Sequence, residues 1–69
     1  MPISLANNGE TGAIKRIGGS EDMKKRLESL GFTVGSAVTV VSKLGENVIV
    51  NVKDSRVALS RDLARRIFV

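Results

Sequence analysis

The chain has 69 residues with no cysteine and no histidine, and its eleven Lys and Arg against seven Asp and Glu give a net charge of +4 and a pI near 10.1. Such a chain makes one domain, residues 1–69, and buries only about 60% of the surface its unfolded form exposes, so a small core must hold it without disulfides. The usual nitrogen and sulfur ligands of zinc and iron are missing, no apolar run is long enough for a membrane span or a leader, and a cytoplasmic protein is expected.

Leu5 opens the readable pattern, and Asn7-Asn8-Gly9 forms a turn before Thr11 to Ile17, which reads as a strand anchored by Ile14 and Ile17. These two isoleucines are three residues apart, so strict alternation cannot place both on one face. A bend or bulge is expected between them. Gly18-Gly19 then leads into Ser20, a good helix N-cap, with Glu21 and Asp22 in the first turn, where carboxylates complement the helix dipole. The spacing predicts a helix over about 21–30, with Met23, Leu27 and Leu30 as one apolar stripe. Gly31 is the expected left-handed residue beyond its end, and Phe32 can fold back onto the last turn.

From Ala37 the β-branched content rises. Ala37 to Lys43 and Val48 to Lys53 read as strands, the second with Val48, Val50 and Val52 on one face, and Gly45-Glu46-Asn47 supplies the hairpin turn between them. After Asp54-Ser55, Arg56 to Leu59 is a further short strand. Ser60 can cap a helical turn near 61–64, and Ile67-Phe68-Val69 closes the chain as a last strand. The reading is mainly β: a small barrel of about five to six short strands with one inserted helix.

The chain offers little chemistry of its own. Glu21, Asp22 and Glu28 could suggest an oxygen-ligand metal site, but each has a cation four residues away, in Glu21/Lys25, Asp22/Arg26 and Lys24/Glu28, and a solvated ion-paired helix face explains them. Histidine and tyrosine are absent as bases, and Ser20 and Ser60 are accounted for as helix caps. Gly18-Gly19-Ser20 resembles a phosphate cradle only weakly, because Glu21 and Asp22 would repel the anion and the lysine of a Walker loop does not follow. No catalytic residue, cofactor site or metal site is expected. Arg56, Arg61, Arg65 and Arg66 make the last quarter basic, yet Phe32 and Phe68 are the only aromatics, both wanted in the core, which leaves no platform for stacking bases. The expected function is therefore docking on a protein partner. Its candidate residues are Lys24 and Lys25, on the helix face opposite the stripe, with Arg61, Arg65 and Arg66.

Leu5, Gly9, Gly12, Ile14 and Ile17, then Leu27, Leu30-Gly31-Phe32 and Gly35, then Val57-Ala58-Leu59, Ala64 and Ile67 together form a pattern that resembles the FeoA family of ferrous iron uptake, over essentially the whole chain. One departure is Val34, where many members have proline before the glycine. The resemblance implies an SH3-like barrel with a helix inserted after an early strand, a fold also found as the C-terminal domain of iron-dependent repressors. It further implies a non-enzymatic cytoplasmic accessory that docks on and regulates the membrane transporter FeoB through its GTP-binding domain. Two alternatives carry different demands: a small basic barrel binding RNA, with steep salt dependence, or a GTPase-activating partner inserting an arginine, for which Arg16, Arg26, Arg56, Arg61, Arg65 and Arg66 are all eligible.

Overall fold

The computed structural model describes Met1 to Val69. In chain order it contains a 3₁₀ turn (Ile3–Leu5), β1 (Thr11–Ala13), β2 (Arg16–Ile17), α1 (Glu21–Ser29), β3 (Ala37–Leu44), β4 (Asn47–Val52), β5 (Ser55–Ser60), α2 (Arg61–Ala64) and β6 (Ile67–Phe68). The strands form a four-stranded antiparallel sheet in the order β1-β3-β4-β5 and a two-stranded one, β2-β6. This is a mainly β, SH3-like barrel.

Alternation builds the meander. Val38 and Val40 of β3, Val48, Val50 and Val52 of β4, and Leu59 of β5 all point inward and are buried. Leu27, Phe32, Ile3, Ile14, Ile17 and Ile67 close over them, and no polar or charged residue is buried with them. Burying a Val, Leu, Ile or Phe side chain contributes about 1.5–3 kcal/mol, so this cluster is the main source of stability.

The strand expected over 11–17 is two strands in different sheets. Ile14 N–H donates to Ser36 O (2.9 Å) and its carbonyl accepts from Gly35 N–H (2.8 Å), whereas Lys15 N–H donates to Phe68 O (2.7 Å). The chain thus leaves β3 and joins β6 between residues 14 and 15. That change of partner lets two isoleucines three positions apart both enter the core.

Helix α1 forms where predicted, with Met23 N–H donating to Ser20 Oγ at 3.3 Å. At its far end Phe32 N–H donates to Leu27 O (3.0 Å) and Gly31 N–H to Glu28 O (2.9 Å), the paired bonds of a Schellman cap. Gly31 has φ +104°, a conformation that would strain any side chain with a Cβ. The expected three-residue stripe is narrower than its spacing implied. Leu27 is fully buried and Met23 half-buried, but Leu30 caps the helix and is 40% exposed. The chain reverses there, and Phe32 fills the core in its place.

Leu5 also departs from expectation. In a 3₁₀ turn residues i and i+3 lie on one side, so Ile3 and Ala6 are buried and Leu5 projects outward, 68% exposed. A second displacement lies in β3, whose pairing with β4 passes from Val40↔Val50 directly to Ser42↔Ile49, making Val41 a bulge. Beyond it the parity reverses: Lys43 stands opposite buried Val48, and Leu44, opposite Asn47, is 72% exposed.

Candidate partner interface

The structure distributes the five expected interface cations over separate surroundings. Lys24 Nζ lies 3.7 Å from Glu21, and Arg65 Nε lies 3.9 Å from Asp62. These i,i+3 contacts are the only ion pairs, so the three i,i+4 pairs expected along α1 do not form. Lys25 is exposed. Arg66 lies against the start of α1, where a Cβ on Gly19 would stand 3.2 Å from its Cδ, and its Nε is buried without a hydrogen-bond partner. Arg61, by contrast, lines an open groove on Ser4 and Leu5 and the β3–β4 hairpin.

The other arginines are largely engaged. Arg16 sits over the Phe68 ring, 4.1 Å from its centroid, at cation–π distance, and Arg56 Nε donates to Asn51 Oδ1 at 3.2 Å. Arg26 borders a small depression with Ser20, Asp22 and Met23. Both rings of the chain are occupied in this way, Phe32 by the core and Phe68 by Arg16.

The groove beside Arg61 has a volume of about 300 Å³ and is lined by Ser4, Leu5, Lys43, Glu46, Asn47 and Val48, with Gly45 at the turn. Neither Lys43 nor Arg61 takes part in an ion pair or a side-chain hydrogen bond. Lys43 reaches this position because of the Val41 bulge, and Leu5 because of the 3₁₀ turn. Of the residues lining this groove, the sequence marks only Arg61 as a candidate; Leu5 as a surface residue and Lys43 are not marked, since neither the bulge nor the turn has a residue signature in this stretch. Elsewhere, a depression on Asn51, Lys53, Asp54, Ser55 and Arg56 has no apolar lining. No three carboxylates converge into a metal cage, and no helix is long and apolar enough to cross a membrane.

The description of a FeoA domain matches residues 1–69 of this chain. A Methanocaldococcus jannaschii protein provisionally named Fe(2+) transport protein A is 34% identical over 68 residues, covering 99% of this chain and 83% of that protein. The chain belongs to the FeoA family. Among solved structures, an iron uptake regulatory protein FeoA superposes with a TM-score of 0.87 at 30% identity, covering 96% of this chain and 88% of the other. The Stenotrophomonas maltophilia FeoA, solved with zinc and described as a prokaryotic SH3 domain protein, gives 0.86 at 27% identity, covering 99% and 87%. A manganese-dependent transcriptional repressor shares the fold at 21% identity, with a TM-score of 0.89, this chain covering 39% of it. Membership places the chain in ferrous iron transport, and two of the barrel's unpaired cations, Lys43 and Arg61, line the groove at the hairpin rim.

Proposed function

We propose that this FeoA chain is a non-enzymatic, cytoplasmic accessory of ferrous iron uptake that acts as one domain, docking on the GTP-binding cytoplasmic domain of a FeoB-type transporter and regulating it. The observation that carries this reading is the family match over the whole barrel, residues 1–69. The S. maltophilia relative, described as a candidate ferrous iron transport activating factor, supports the same role. A small barrel with shallow grooves suits surface docking better than enclosure of a substrate. Of the cations proposed for the interface, Lys25 and Arg61 are the two without a partner in the barrel or packing against α1, and Lys24, Arg65 and Arg66 would have to give up contacts already made.

Capture of the transporter's cytoplasmic domain by the immobilised protein tests the proposal. Retention at low and at moderate salt is expected, with faster association at low salt because opposite charges steer the encounter. Absence of capture at both salts contradicts it, and capture of RNA with a steep salt slope would favour the nucleic-acid alternative instead.

A further inference from the structure

Two irregularities meet at one place on the barrel. The 3₁₀ turn turns Leu5 outward, and the Val41 bulge turns Lys43 to the rim of the core face, next to Val48. Each leaves a local preference unsatisfied: a leucine stands in water, and a lysine holds the core-facing position opposite Val48 that uninterrupted alternation would give to Ser42. Arg61, the first residue of α2, completes the wall. The groove therefore has one exposed apolar side chain, Leu5, above the buried Val48, with two cations without partners and one carboxylate, Glu46, which pairs with neither.

We infer that this groove is the docking site on FeoA, and that its occupant is a segment of the partner protein carrying an aliphatic side chain beside a carboxylate. The inference rests on the docking reading above and names the surface that reading leaves open. The charge balance selects the occupant: Lys43 and Arg61 outnumber Glu46, so a carboxylate gains two charge-assisted hydrogen-bond donors. The apolar part selects the neighbour of that carboxylate, because covering the exposed Leu5 requires a hydrocarbon side chain, which a phosphate backbone does not supply. At about 300 Å³ the groove lies at the lower limit for small-ligand sites and is open on one side, so it holds one or two side chains of a larger partner. The purely polar depression near Lys53 and Arg56 lacks such an apolar side chain. The groove thus combines an anchor position with a charge preference, the pairing from which interface hot spots are built.

The test is a titration of the isotope-labelled protein with the transporter's cytoplasmic domain, read by amide chemical shifts, together with affinity measurements on Leu5→Ser, Arg61→Glu and Arg65→Glu. Shifts are expected to concentrate at Ser4, Leu5, Lys43 to Val48 and Arg61. Leu5→Ser and Arg61→Glu should each weaken association by about tenfold or more, with Arg65→Glu within about twofold of wild type. Leu5 and Arg61 are exposed, and an acid at the first position of α2 is favourable, so both variants retain the fold and an unchanged unfolding midpoint verifies it. Shifts confined to another face, with undiminished binding by both groove variants, overturn the groove while leaving the docking reading intact. No shift anywhere overturns both. Groove shifts produced by an unstructured RNA, without any from the protein domain, overturn the stated occupant.

Discussion

The exit of α1 and the β3–β4 hairpin rim treat their local rules in opposite ways. At the helix exit, cap, left-handed glycine and hydrophobic return agree: Ser20 caps the start, Gly31 takes φ +104°, and Phe32 bonds back to Leu27 and is buried with it. At the rim, a bulge reverses the strand parity, Leu44 is 72% exposed and Lys43 stands unpaired. One more exception lies at the other hairpin of the same meander, where Lys53 holds φ +54°, a left-handed conformation without glycine. The contrast teaches a division of labour. The region whose local signals all agree holds the barrel together, and the region where they conflict is where an added contact with another molecule would resolve them.

The comparison breaks first at Leu27. Truncation to Ala at this fully buried position should cost about 2–5 kcal/mol, read as a drop in the denaturation midpoint, and a smaller loss than at the rim would reverse the assignment of the two regions. Gly31→Ala should cost about 1–2 kcal/mol, since a Cβ is placed in the left-handed region with no close neighbour to clash; thermal unfolding checks it.

Substitutions in the meander turns sharpen the contrast from the other side. Lys53→Gly relieves the strained turn, partly offset by the freer unfolded chain, and should stabilise by about 0.5 kcal/mol in a denaturant titration. Leu44→Ser should change stability by less than about 0.5 kcal/mol, because the side chain has little contact to lose.

The fold was legible where the signal is local. The Ser20 cap, the Gly31 stop, the Gly45 hairpin, the Val48/Val50/Val52 face and the Ser60-capped turn all rest on residues within a few positions of one another. What escaped depends on distant partners. Nothing between Thr11 and Ile17 states that residue 14 bonds to 36 and residue 15 to 68, so the break between sheets reads only as a bend. Leu30 completes a helical spacing but loses its place to Phe32 once the chain reverses, and the Val41 bulge requires β4 alongside to exist at all. The proposed docking groove was legible in part for the same reason. Arg61 stands in a basic run that composition reveals, whereas Leu5 and Lys43 join it only through a turn and a bulge.

With docking at the proposed groove, folding and partner binding reside in different parts of one small barrel, and a single rim variant measured twice separates them. Lys43→Glu combined with Arg61→Glu alters two exposed cations that have no partners in the fold. The unfolding midpoint of this variant should match the wild type, with its dissociation constant for the transporter's cytoplasmic domain raised about tenfold or more. An unchanged dissociation constant, or a loss of affinity that merely tracks a loss of stability, would contradict the claim.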